Sequence, residues 1–121
     1  AHVAESALVK AYFAGDVHAL EVLPIDPAGT PFQRAVWALV RQIPAGETRS
    51  YRDLAARLGS SARAVGGANA ANPIALAVPC HRVVAADGTL RGYAWGLERK
   101  EWLLRHERAA ISAAAPAAAA G

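Results

Sequence analysis

Among 121 residues there is one cysteine, and a histidine follows it directly in Pro79-Cys80-His81-Arg82. A cysteine attacks only as its thiolate, so a thiol with an ordinary pKa of about 8.5 needs a base or a positive potential beside it. His81 is the neighbouring base, and Arg82 adds positive potential. Zinc ligation is excluded by spacing, since His2, His18, His81 and His106 lie far apart and no second cysteine accompanies them. A lone cysteine also serves as inert core, so its setting matters. One apolar run, 74–78, enters the motif and a second, 83–85, leaves it, which presents the thiol from inside the fold. Adjacent side chains of an extended strand point to opposite faces. Cys80 and His81 therefore cooperate only if Pro79 turns the chain or a water bridges them. A third group then orients the imidazole, and Glu101 and Glu107 are the available acids.

The elements that must position these groups carry clear signals. Apolar residues at 7, 8, 11 and 12 followed by Gly15 predict a short amphipathic helix over 4–13. Residues 17–30, interrupted by Pro24 and Pro27, read as a linker-like approach. Thr30-Pro31-Phe32-Gln33 combines an N-cap threonine, a proline at the first helical position and a capping-box glutamine. The helix it starts runs to about Gln42, with Phe32, Val36, Leu39, Val40 and Ile43 on one face and Trp37 beside them. Ser50 caps a second helix that ends at Gly59. Ser60-Ser61 restart a third, which stops at Asn72-Pro73. Two short helices around a Gly-Ser-Ser turn are a helix-turn-helix candidate. The third helix is built of Ala, Gly and Asn, with Arg63 its one long side chain. Gly66-Gly67 costs about 1 kcal/mol per residue against alanine, which calls for close approach by another helix or by a nucleic-acid backbone. Asp87-Gly88 reads as a tight turn. The final helix, 97–107, should turn Leu97, Leu103 and Leu104 inward; Trp37 and Trp102 read as core and His106 as a surface histidine. The alanine-rich residues 109–121 are expected to be largely disordered.

Length and composition fit one globular domain, 54% hydrophobic and 19% charged, the first figure inflated by alanine. A single cysteine rules out an internal disulfide, and no apolar run approaches the ~18 residues of a membrane span. The expectation is a soluble, cytoplasmic protein of a reducing compartment. The chain begins at Ala1 and contains no methionine, as expected of a processed chain or a piece of a longer protein. The net charge of +3 is modest, but residues 34–91 hold eight arginines, no lysine and three acids. Arginine suits phosphate contacts.

Pro79-Cys80-His81-Arg82-Val83-Val84 resembles the active-site motif of the O6-alkylguanine-DNA alkyltransferases, the methylated-DNA-protein-cysteine methyltransferases. Phe32 to Trp37, Ile43 to Tyr51, Ala62 to Ala68, Asn72-Pro73, Gly92 to Leu97 and Lys100 to Glu107 resemble the family's other blocks in order and spacing. They cover about residues 30–107, and Ala11 to Asp16 resembles the linker that precedes this domain in bacterial members. The fold implied is mainly α: a winged-helix-like helix-turn-helix domain with short strands around the Pro-Cys-His-Arg turn. Its parts are an N-terminal helix and approach (1–29), the DNA-binding and active-site domain (30–108) and the tail (109–121).

The resemblance implies a repair protein that moves the alkyl group of O6-alkylguanine, and of O4-alkylthymine, irreversibly to Cys80. His81 and Glu107, with a bridging water, match the groups that deprotonate the thiol. Asn72 matches the asparagine that holds the turn before the cysteine. Tyr51 matches the tyrosine that rotates the nucleotide, and Arg63 the finger that fills the gap left in the stack. Ala64, Gly67 and Ala68 belong to the helix expected in the minor groove, whose width of ~6 Å suits small side chains. Arg82, Tyr93 and Trp95 complete the expected substrate and DNA contacts, Trp95 narrowing the pocket toward methyl adducts. Asn69 and Ala70 make this helix less basic than in many members. The partner implied is duplex DNA, bound by a monomer without cofactor, metal or membrane. Two other classes are disfavoured: a non-enzymatic alkyltransferase-like module by Cys80 itself, and a sequence-specific regulator by a recognition helix with few base-reading side chains.

Overall fold

The computed structural model describes residues 2–23, 28–73, 76–90 and 96–120, with side chains described between 7 and 113 of these. Helix α1 (His2–Phe13) and a 3-10 turn (Ala19–Val22) precede α2 (Pro31–Arg41). Strand β1 (Arg49–Ser50) leads directly into α3 (Tyr51–Leu58), and α4 (Ala62–Ala70) follows. A second 3-10 turn (Cys80–Arg82), strand β2 (Val83–Val84) and α5 (Leu97–Ala120) complete the order. The fold is mainly helical. Helices α3 and α4 form the helix-turn-helix, and β1 pairs in parallel with β2, Arg49 opposite Val83 and Ser50 opposite Val84.

Local chemistry sets the ends of the central helices. Thr30 accepts from the Gln33 amide at 3.1 Å, and the Gln33 side chain accepts from the Thr30 amide at 3.0 Å, the reciprocal bonds of a capping box. Ser50 and Ser61 cap α3 and α4 by accepting from the amides of Asp53 and Ala64. Gly59 closes α3 in the left-handed region, φ 60°, where a side chain would be strained.

Two apolar clusters hold these pieces. The larger joins Val36, Trp37 and Val40 of α2 to Leu54 and Ala55 of α3, Val65 and Ala68 of α4, and Val78 and Val83 on either side of the cysteine. Burial of each large side chain contributes roughly 1.5–3 kcal/mol. Trp37 also donates its indole N–H to the Ala68 carbonyl at 2.8 Å, tying α2 to α4. The second cluster, Tyr12, Val17, Leu20, Ala45 and Leu103, seats the N-terminal segment on α5. Arg41 secures this approach, its guanidinium donating to the carbonyls of Leu20, Glu21 and Leu23.

Several expectations change. Leu97 and Trp102 are half exposed while Leu103 and Leu104 are buried. The inward stripe of α5 is instead 100, 103, 104 and 107, the i, i+3, i+4, i+7 positions of one helical face. Trp102 stacks on His106, centroids 4.9 Å apart, and His106 donates to the Tyr12 carbonyl at 2.7 Å, so this histidine joins α5 to α1. Helix α5 spans Leu97–Ala120, and it is packed just past Glu107. Ala110 lies against the second cluster, and the Ile111 side chain covers Gly46. No helix among the described residues is long and apolar enough to cross a membrane.

Candidate active site

The described part of the apolar run before Cys80, residues 76–78, forms no regular strand: Val78 makes only an isolated bridge. Pro79 has φ −79° and ψ 64°, and the Cys80 amide donates to the Val78 carbonyl at 2.7 Å. This is an inverse γ-turn, for which the proline ring presets φ. Pro79 turns the chain here, so Cys80 and His81 are not the opposed neighbours of an extended strand. Leu76, just upstream, sits at φ 69°, a conformation costing about 1–3 kcal/mol for a non-glycine residue. Two asparagines hold the turn. Asn72 Nδ2 donates to the Val78 carbonyl at 2.9 Å, and Asn69 Nδ2 to the Cys80 carbonyl at 3.2 Å.

The 3-10 turn then buries Cys80, His81 and Arg82 together. His81 Nε2 donates to Glu107 Oε2 at 2.9 Å. Arg82 grips the same carboxylate with two bonds, Nε to Oε1 at 2.9 Å and Nη2 to Oε2 at 2.7 Å, and its Nη1 donates to the Ile43 carbonyl at 2.7 Å. Burial alone would raise the Glu107 pKa. The hydrogen bonds and charges of His81 and Arg82 reverse this and hold it at about 2, so the group is a carboxylate. Burial lowers the His81 pKa against the opposing pull of Glu107, which keeps the imidazole neutral at pH 7. With its proton on Nε2, its lone pair is on Nδ1, an atom with no hydrogen-bond partner among the described residues. A neutral imidazole held this way is a proton acceptor at Nδ1.

Lys100 completes the cluster. Its side chain is fully buried, its Nζ lies 5.8 Å from the centroid of the Tyr51 ring, and burial pushes its pKa down to about 8 against the favourable influence of a thiolate at Cys80. A buried ammonium beside a sulfur stabilises negative charge there. Tyr51, half-buried at the first position of α3, has its pKa raised by burial, opposed by a hydrogen bond with Asn69 and reinforced by Cys80. Its hydroxyl therefore stays protonated.

This arrangement places a nucleophile, a neutral base with a carboxylate behind it, a cation and a phenol around one turn. Residues 31–109 match the family described as 6-O-methylguanine DNA methyltransferase, DNA binding domain. The chain belongs to this family. Among its relatives, the methylated-DNA–protein-cysteine methyltransferase of Salmonella typhimurium is 57% identical over 98 residues, 79% of this chain and 57% of that protein. The one from Methanosarcina acetivorans is 50% identical over 101 residues, 82% of this chain and 64% of that protein. The crystal structure of Mycobacterium tuberculosis OGT in complex with DNA superposes with a TM-score of 0.78 at 44% identity, covering 89% of this chain and 68% of that one. The chain thus spans well under two thirds of the length of the Salmonella relative.

Within this domain, Cys80, His81, Glu107, Asn72 and Tyr51 converge. Glu101, the other candidate acid, is on the outer face of α5 paired with Arg105. Two of the residues expected to contact DNA are buried in the chain. Arg82 is only 4% exposed, its guanidinium bonded to Glu107 and to the Ile43 carbonyl, so it braces the site from beneath. Ala68 is 5% exposed, turned into the core where its carbonyl meets Trp37. Arg63, Ala64 and Gly67 are exposed on the outer face of α4. A Cβ on Gly67 would meet nothing within 4 Å, and one on Gly66 would meet only the Tyr51 ring at 3.9 Å. Packing among the described residues therefore does not account for the two glycines. Tyr93 and Trp95 lie outside the described residues. Lys100, Asn69 and Tyr12 are the site neighbours that residue-by-residue reading misses. The available signal for Lys100 is helical phase: it shares a face with Leu103 and Leu104.

Proposed function

We propose that the chain is a DNA repair domain that transfers the alkyl group of O6-alkylguanine, and of O4-alkylthymine, irreversibly to Cys80. The observation that carries this reading is the neutral His81, next to Cys80 in one buried turn and donating Nε2–H to the Glu107 carboxylate, with its lone pair at Nδ1 and the buried Lys100 ammonium within electrostatic reach of Cys80. The thiol proton passes to Nδ1 through a bridging water. Glu107, holding Nε2–H, stabilises the imidazolium that results. The thiolate attacks the alkyl carbon, the S–C bond forms as the C–O6 bond breaks, and the electron pair stays on the guanine. The leaving base takes back a proton from the polar cluster, for which the protonated Tyr51 hydroxyl and Lys100 are the donors at hand. The product is a thioether, a poor leaving group with no nucleophile arranged to remove it, so each protein reacts once.

Reaching a base inside a duplex costs a few kcal/mol of stacking and pairing. Support for a flipping mechanism comes from α4, which exposes Arg63 beside Ala64 and Gly67 and is the helix that touches Tyr51. A helix face without bulk suits a narrow minor groove read by shape. Exposed Arg34, Arg52 and Arg57 on α2 and α3 supply positive charge for phosphates. Damage anywhere in a genome must be met without sequence preference, and this face offers few base-reading groups. The domain acts as a monomer in this scheme.

The test is to incubate the chain with a duplex containing O6-methylguanine and measure its intact mass. A gain of one methyl group that vanishes in Cys80→Ala is the expected result. Binding without mass gain, or preference for one undamaged sequence, overturns the reading.

A further inference from the structure

The second oxygen of Glu107 carries a bond from outside the matched domain. Tyr12, on α1, donates its hydroxyl to Glu107 Oε2 at 2.7 Å across 95 residues of chain. The family match begins at residue 31. Tyr12 is 1% exposed, and its carbonyl also receives the bond from His106, so α1 grips α5 at two consecutive residues. Among the described residues, Oε2 thus accepts from Tyr12, His81 and Arg82, while Oε1 accepts from Arg82 alone. We infer that Tyr12 is a positioning residue of the proton relay: its hydroxyl holds and polarises the Glu107 carboxylate that orients His81.

The physical reason is the division of one oxygen's charge among three donors. A carboxylate oxygen that also accepts from a phenol has less electron density to offer the imidazole. Its pull on the His81 proton is weaker, and its rotation is restricted. His81 is faced by Glu107 and Lys100 of α5, by Arg82 of its own turn and by the neighbouring Cys80. Among these, Glu107 alone favours the imidazolium, so the donor that tempers Glu107 sets the pH at which His81 is free to accept the thiol proton. A phenylalanine at position 12 keeps the packing and removes only this donor.

The consequence for rate rests on the reading of Cys80 as alkyl acceptor, whereas the consequence for His81 does not. Two variants of the intact chain separate them: Tyr12→Phe, and 3-fluorotyrosine incorporated at position 12, a stronger donor of the same shape. His81 is titrated through its ring nitrogens by 15N NMR, and the single-turnover rate on an O6-methylguanine duplex is followed against pH. In Tyr12→Phe the His81 titration and the acid limb of the rate profile move to higher pH. The rate at neutral pH falls roughly 3- to 10-fold, since Glu107 keeps its bonds from His81 and Arg82. With 3-fluorotyrosine both move the other way. A purely structural role would not produce opposite shifts. Should the phenylalanine variant fail to fold, the fluorotyrosine variant decides alone. The inference is overturned if His81 titrates unchanged in the variants that fold or moves in the same direction in both. It is equally overturned if a reactive wild type loses no rate in Tyr12→Phe. If the wild type transfers no alkyl group, the proposed function fails, and the NMR titration still decides the role of Tyr12.

Discussion

Glu107→Gln is the substitution that most directly tests the buried cluster. The carboxylate accepts four described hydrogen bonds, from Tyr12 O–H, from His81 Nε2–H and two from Arg82, whose guanidinium has no acceptor to offer in return. A glutamine must turn its NH2 toward some of them in either orientation, and it leaves the Arg82 guanidinium, 4% exposed, without a counter-charge. Breaking a buried pair from one side costs about 3–5 kcal/mol. The depressed carboxyl pKa points the same way, since lowering it from 4.5 to about 2 on folding is worth ~3 kcal/mol. The sign follows from the depressed value: this stability is fully present above pH 4.5 and is lost as the pH falls through about 2. His81, also lowered on folding, adds a decline that begins below its ordinary 6.5. Urea unfolding of wild type and Glu107→Gln, followed by circular dichroism, should show about 3 kcal/mol lost at pH 7 with little change in slope. The wild type should shed its advantage between pH 4.5 and 2. Alkyl transfer at pH 7 should fall on the order of 10²- to 10⁴-fold, the usual cost of disabling a base and its orienting partner. A loss under about 1 kcal/mol at pH 7, or an advantage that persists undiminished at pH 2, would refute the assigned electrostatics.

Three further outcomes are expected. Arg63→Ala should slow repair of duplex DNA far more than reaction with free O6-alkylguanine, because only the duplex requires the base to be extruded; equal losses on both would remove Arg63 from that role. Gly67→Ala should stabilise the free protein by about 0.5–1 kcal/mol, since the added methyl meets nothing within 4 Å. Gly67→Leu should weaken duplex binding, measured by anisotropy, and unchanged affinity would mean that α4 does not approach the DNA closely. Lys100, pushed down to about 8 by burial, should lose its charge and its help to the thiolate above that pH. The rate should then show an alkaline decline that Lys100→Met abolishes, and the stability of the wild type should rise with pH between about 8 and 10.5, because the unfolded chain there binds the extra proton.

What the sequence alone determined is what short-range chemistry controls. Thr30 with Gln33, Ser50 and Ser61 specify helix starts through bonds that span three residues, and Gly59 ends α3 because only glycine enters the left-handed region without strain. The nucleophile and its neighbouring base were legible as residue types, and Glu107 was one of two acids within reach. Periodicity placed the core face of α2, where buried and exposed positions differ plainly in polarity. The tertiary structure alone decided which polar side chains are interior. Charged residues are exposed by default, and nothing local marks Arg82 or Lys100 as exceptions. Each is buried because its partner arrives from elsewhere in the chain, Glu107 for Arg82, and Cys80 and Tyr51 for Lys100. Leu97 and Trp102 went the other way for the same reason, since the face of α5 that turns inward is chosen by a carboxylate bonding to His81, Arg82 and Tyr12. The Cys80 turn likewise depends on Asn72 and Asn69 reaching across from α4 and its end. A proton relay needs its groups placed to within a few tenths of an ångström, and that precision comes from contacts among segments far apart in sequence.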